Sequence, residues 1–240
     1  MPKNLTFNGG HDEVAATLAC EIIAGARPAG SRLPAVEEMY ERFGVSRVMV
    51  REVTKTLTAK GLVSAKTKVG TLVLPPERWN WFDPDFLAWR VRVGLDAEFF
   101  DQLTQMRRAV EPKAAALAAE HSSASVIVDL RSALDAMACS GGGNREFAQA
   151  DLRFHVTVGA ASGNPLFRSF ASVVETALAA SLSLTAPLSE EAVATTVARH
   201  RLIVDAIEAG NPEHAAQAML GVINEGSDRL HESKVPGCPE

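Results

Sequence analysis

Apolar residues recur at helical spacing along nearly the whole chain and give way to a strand pattern in one place. Val14, Leu18, Ala19, Ile22 and Ile23 mark a first helix that Gly25 ends. Val36, Met39, Tyr40 and Phe43 mark a short second one. A third follows within residues 43–60, where Val45, Val50, Val53 and Leu57 face a small core. Gly44 supplies the turn before it, and Ser46 is placed to cap its N-terminus. That leaves Arg47, Val48, Met49, Arg51 and Lys55 pointing outward. In LVSAKTKVGTLVL the pattern becomes two short strands, with Leu62, Val63, Leu72 and Val73 packed inward. Lys66, Thr67 and Lys68 sit at the tip of this hairpin with Gly70. Three helices and a basic hairpin predict a winged helix-turn-helix over residues 1–75. Its third helix suits the major groove of double-stranded DNA, and its hairpin tip suits the adjacent minor groove or the phosphates.

Pro75 and Pro76 break the chain, and a boundary is placed there. Residues 76–96 are an aromatic linker in which RWNWFDPDFLAW holds three Trp and two Phe. It reads either as a base-stacking platform or as a hydrophobic clasp where linker meets body. Interleaved acids and few cations favour the clasp. Residues 97–240 show helical patterns at roughly 97–119, 123–138, 145–161, 165–184, 190–209 and 212–233, separated by short Gly, Pro or Ser breaks. Short connections imply antiparallel neighbours, so the expected fold is mainly α: a winged helix-turn-helix followed by an all-helical antiparallel bundle.

Charge sharpens this division. The net charge is −5, yet residues 1–75 carry a net +3 and the remainder −8. Between Arg42 and Lys68 there are seven cations and one acid, Glu52. A basic head on an acidic body fits a polyanion binder joined to something else, although a cluster of cations is also what a solvated helix face looks like. No apolar run reaches the roughly 18 residues of a membrane span, and the N-terminus lacks the pattern of a signal peptide, so the cytoplasm is expected. Three isolated cysteines, Cys20, Cys139 and Cys238, form neither a disulfide framework nor a zinc knuckle.

Candidate chemistry in the bundle is sparse. Asp151 and His155 share a helix face at i, i+4, and His200 lies on a later helix. One carboxylate and two imidazoles can bind a divalent ion such as zinc, although Asp and His at this spacing are also common as a plain hydrogen-bonded pair. Arg107 and Glu111 form another i, i+4 pair, either a helical salt bridge or an arginine that clamps a carboxylate; spacing alone favours the salt bridge. A helical hairpin turning near 211 puts position 222 opposite His200, and that position is Val222.

The stretch RLPAVEEMYERFGVSRVMVREVTKTLTAKGLV with GTLV resembles the GntR family of bacterial transcription regulators. Arg107-x-x-x-Glu111 leading into LAAE, then DLRFH, SGNPLF and HRLIVDAIEAGNPEHAA resemble the helical FCD domain of its FadR subgroup, and the aromatic linker is similar to that of sugar-acid regulators within it. The resemblance implies a homodimer that binds operator DNA through Ser46, Arg47, Val48, Met49, Arg51, Lys55, Lys66, Thr67, Lys68 and Gly70. It implies a small carboxylate effector, a sugar acid, among Arg107, Asp151, His155, Asn164 and His200. Metal-binding members use an Asp and three His; Asp151, His155 and His200 match three, and Val222 stands at the fourth. The polar groups therefore either hold a metal with water or contact an organic acid directly. A second departure is Glu37, where many relatives carry a DNA-contacting Arg.

The expected function is a ligand-responsive transcription regulator, with repression of sugar-acid catabolism as its form. The rival is a metal-dependent enzyme acting on a small organic acid. It lacks a general base or nucleophile beside the metal set and leaves the basic head unexplained. A constitutive architectural DNA binder is a third reading, against which the polar cluster argues.

Overall fold

The computed structural model describes residues 10–66, 69–121, 123–140, 144–184 and 189–233. The chain divides into two compact units, Met1–Gly94 and Leu95–Glu240. No helix among the described residues is long and apolar enough to cross a membrane.

The first unit contains α1 (His11–Ile23), α2 (Val36–Phe43), α3 (Arg47–Ala59), an antiparallel hairpin of β1 (Val63–Lys66) and β2 (Gly70–Val73), and α4 (Pro84–Val93). Gly44 ends α2 in the left-handed region with φ 67°, a conformation that costs glycine little, and so turns the chain sharply into α3. The Ser46 hydroxyl then accepts the Met49 amide at 3.3 Å, capping α3. The buried stripe of α3 is Val50, Val53 and Leu57, which packs with Leu18, Phe43 and Leu62. Val63 pairs with Val73 across the hairpin, and a bridge from Arg32 to Leu72 adds a third backbone to its outer edge. Thr67 and Lys68 lie outside the described residues.

The aromatic segment belongs to this unit and is not a linker. Phe86 is fully buried in the head core with Trp89, and α4 packs against α1. Asp83 caps α4 by accepting the Asp85 and Phe86 amides, both at 3.0 Å. The buried Lys60 at the end of α3 reaches Asp83 and Asp85, each at 2.7 Å, and lies 5.4 Å over the Trp89 ring. Gly61 lets the segment come this close: a Cβ there would sit 2.1 Å from the Arg78 carbonyl oxygen. Trp79, Trp81 and Phe86 pack on one another at centroid distances of 5.0–5.7 Å, and both indole N–H groups donate to backbone carbonyls. Pro75 and Pro76 thus end the hairpin, and the division falls after Gly94 rather than near Pro75.

The second unit holds α5 (Ala97–His121), α6 (Ala124–Ala138), α7 (Asn144–Ala161), α8 (Pro165–Arg168), α9 (Ala171–Leu184), α10 (Glu190–Glu208) and α11 (Pro212–Ser233). These follow the expected helices closely. The exception is 165–184, which breaks into α8 and α9 at Ser169 and Phe170. Ala114, Ala115, Ala118 and Ala119 are buried on α5, and such small side chains let the packed helices α7, α10 and α11 approach it closely. Phe154, Met137, Ile203 and Met219 fill the core.

Candidate functional site

On the first unit, α3 presents Arg47 with 83% of its side chain exposed, beside Glu37 of α2 at 3.6 Å. Val48 is 69% exposed. Arg51, Lys66 and Gly70 are exposed, and Lys55 is exposed but paired with Glu52 at 2.8 Å. Met49 departs from the outward reading: it is half-buried and packs against the head core. It precedes Val50 by one residue and Val53 by four, which puts it on the flank of the buried stripe.

On the second unit, the described residues bring Asp151 and His155 of α7 together with His200 of α10. His200 Nε2 lies 3.0 Å from Asp151 Oδ1, His155 Nε2 lies 3.4 Å from the same oxygen, and the two Nε2 atoms are 3.4 Å apart. On its far side the His200 ring donates Nδ1–H to the Thr196 carbonyl at 2.8 Å, which turns Nε2 inward toward Asp151 and His155. Phe154 stands edge-on to both imidazoles. Arg107 and Glu111 of α5 complete the cluster. Arg107 Nε donates to Glu111 Oε1 at 2.5 Å, its Nη2 lies 3.3 Å from His155 Nε2, and Glu111 Oε2 lies against His155 Nδ1.

These five side chains are nearly dry. The imidazoles are each 1% exposed, and the Arg107 and Glu111 side chains 10% and 9%. Burial disfavours every charge here, so the charges persist only by holding one another. Burial opposes the ionised Glu111, yet Arg107 and His155 bring it down to about 2. Asp151 meets the same opposition and is held well below the usual carboxylate range by its contacts with His155 and His200. Burial would strip the proton from His155, but Glu111 and Asp151 raise it to about 9.

The donor set suits a divalent cation. Asp151 Oδ1 is fully buried and, although both imidazole nitrogens are near, neither is aligned to donate to it. His155 Nδ1 likewise touches Glu111 without hydrogen-bond alignment. One carboxylate oxygen and two imidazole nitrogens thus converge on a point where a proton is an imperfect filler. Val222 is buried in the bundle core and supplies no ligand.

Beside the cluster, Glu111, His155, Phe167 and Arg168 border a cavity of only about 20 Å³. A wider groove of about 520 Å³ along α10 is lined by Glu190, Arg201 and Asp205 among apolar residues and includes no member of the cluster. Asn164 is not part of the cluster among the described contacts: its side-chain oxygen accepts the Leu166 amide at 3.0 Å and caps α8, which carries Phe167 and Arg168 to the cavity. Glu111 is the participant that sequence reasoning left as a salt-bridge partner. Its signal was present, because it shares a helix face with the buried Ala115 and Ala118, and a carboxylate there requires partners.

A winged helix-turn-helix head and a helical body with a dry polar cluster define a regulator that couples a DNA-facing unit to a sensing unit. Comparison with known proteins agrees. The profile of the bacterial regulatory proteins of the gntR family matches residues 11–73, and that of the FCD domain matches residues 102–225. The chain is 32% identical to the galactonate operon transcriptional repressor of Escherichia coli K12, over 92% of this chain and 96% of that one. It is 29% identical to the transcriptional repressor NanR of E. coli, over 84% and 77% of the two chains. Among solved structures, a Listeria monocytogenes protein named Lar, which controls the agr system, superposes with a TM-score of 0.64 at 20% identity, over 97% and 99% of the chains. The chain belongs to the GntR family, with an FCD domain as its body. It is a ligand-responsive DNA-binding transcription regulator.

Proposed function

We propose that the protein is a homodimeric cytoplasmic repressor of a sugar-acid catabolic operon, released from its operator by an aldonate-like effector. The observation that carries the effector class is the buried Arg107–Glu111–His155–His200–Asp151 cluster, which offers a guanidinium and imidazoles to a carboxylate. The similarity to a galactonate operon repressor supports the same class. Asp151, His155 and His200 would hold a divalent ion such as zinc, which supplies a positive centre for an effector carboxylate or hydroxyl. His155 must first lose its proton for that ion to enter.

A cavity of about 20 Å³ accepts about one water molecule, so an aldonate enters only if the body opens. Free and liganded bodies therefore differ in shape, and that difference in affinity between two states is what lets an effector regulate. In the head, Arg47 and Arg51 contact base edges and phosphates, Val48 offers an apolar contact to a thymine methyl, Lys55 approaches the backbone, and Lys66, Thr67, Lys68 and Gly70 of the hairpin tip reach into the adjacent minor groove. A thermal-shift screen of aldonates, uronates and 2-keto-3-deoxy acids, run with and without chelator, tests the reading. An acid that raises the melting temperature and weakens operator binding supports it. No shift from any acid, with operator binding unaltered, refutes the effector class.

A further inference from the structure

We propose that Arg32, outside the helix-turn-helix itself, is a ligand for a DNA backbone phosphate, seated in a groove between α3 and the hairpin. The inference rests on the reading that α3 enters the major groove while the hairpin tip enters the adjacent minor groove. If both do so, the sugar-phosphate strand that separates those two grooves has to pass between α3 and the hairpin. The structure has a groove of about 480 Å³ there, bounded by α3, residues 32–35 and residues 69–71, with Leu18, Val36 and Met39 as an apolar wall. Three cations line it, Arg32, Arg51 and Lys55, with the hydroxyls of Thr54 and Thr71, and no carboxylate lines it. Lys55 is already paired with Glu52, whereas Arg32 is exposed and no carboxylate pairs with it among the described residues.

Arg32 is also held in place. Its backbone forms the bridge to Leu72, and the flanking residues are tied to the hairpin: the Leu33 amide donates to the Thr71 carbonyl and the Val73 amide to the Ser31 carbonyl, both at 2.9 Å. The guanidinium thus projects from a fixed edge of the wing rather than from a loose loop. A planar fork with five donors on a rigid base is the arrangement that suits a phosphate. Such a contact fixes the position of the duplex and reads no base, so its loss acts alike on all sequences.

The test uses the full-length protein with two probes: a duplex selected by the wild type from a randomised pool, and a scrambled duplex of equal composition. Binding is followed by fluorescence anisotropy across a salt series. Arg32→Ala should melt like the wild type, weaken both duplexes by roughly tenfold and lower the slope of log K against log salt by about 0.9, the share of one phosphate. Arg32→Lys should keep most of the slope. One neutral methylphosphonate linkage in the selected duplex should cost the wild type affinity and leave Arg32→Ala unaffected. Unchanged affinity and slope in Arg32→Ala, or a loss confined to the selected duplex, overturns the proposal while leaving DNA binding intact. A wild type that selects no duplex removes the underlying reading and the proposal with it.

Discussion

The two units treat charge in opposite ways. On the side that carries α3 the head leaves cations in water: Arg47 has only a loose contact with Glu37, and Arg32 and Arg51 are exposed, while Lys60 at the far end of α3 is buried and paired. The body does the reverse, burying Arg107, Glu111, Asp151, His155 and His200 in one interlocked cluster. An exposed cation costs almost nothing to fold and gains its energy later, when a polyanion displaces its counterions. A buried charge costs several kcal/mol at folding and is retained only if its partners are in place. The head therefore holds a surface whose energy is realised on binding, whereas the body holds a site already assembled. Substitutions should hit stability in the body and affinity in the head.

Glu111→Ala should give the largest effect, lowering the free energy of unfolding by about 3–5 kcal/mol, since it strands Arg107 and His155 in a dry core. Chemical denaturation measures it. Replacing Arg107 by Met and Glu111 by Leu together should recover much of that loss while abolishing any effector-induced thermal shift. A double variant as unstable as the single one would mean the cluster is structural, and the contrast with the head would collapse.

A pH series probes the same cluster without mutation. His155 is raised from its ordinary 6.5 to about 9, so its contribution is fully present below 6.5 and is lost as pH climbs through 9. Glu111 is lowered from 4.5 to about 2, so its contribution is present above 4.5 and is lost as pH falls toward 2. Chelator-treated protein should therefore be most stable between these limits and weaken on both sides. His155→Gln should flatten the alkaline limb, and an unchanged limb would place the proton elsewhere. Next in size is Arg47→Ala. It should leave unfolding within about 0.5 kcal/mol of the wild type and reduce preference for the selected duplex by about 1–3 kcal/mol, read by competition anisotropy. A loss of stability instead would give Arg47 the role expected of body residues.

What the sequence revealed follows from how local each signal is. The helices of the body were legible because Ala- and Leu-rich periodic stretches are closed by GGGN, SGNP and AGNP, so expected and observed limits nearly coincide. The break between α8 and α9 at Ser169 has no glycine or proline to mark it. The segment carrying α4 was misplaced because its burial is decided by α1, far away in sequence, and by the Lys60 contact with Asp83. At the site, Asp151 and His155 were visible as i, i+4 neighbours on one helix. His200 was visible as a candidate on a later helix, but its approach to them came only with the bundle packing. The contact of Glu111 with His155 joins residues 44 positions apart on different helices, and no spacing rule reaches it.

The smallest effect tests the head alone. Glu37 and Arg47 are both mostly exposed and 3.6 Å apart, too far for a hydrogen bond, so the pair adds at most a few tenths of a kcal/mol to folding. Glu37→Gln should leave the melting temperature unchanged. Its consequence appears only with DNA, where a carboxylate at the rim of the reading helix repels phosphate and competes for the Arg47 guanidinium. Neutralising it should tighten binding to selected and scrambled duplexes alike by a few-fold at low salt, and the gain should fade as salt rises. Weaker binding confined to the selected duplex would show instead that Glu37 orients Arg47 toward a base. The DNA-facing surface of the head would then carry a preassembled ion pair as the body does, and the distinction between the two units would narrow at that position.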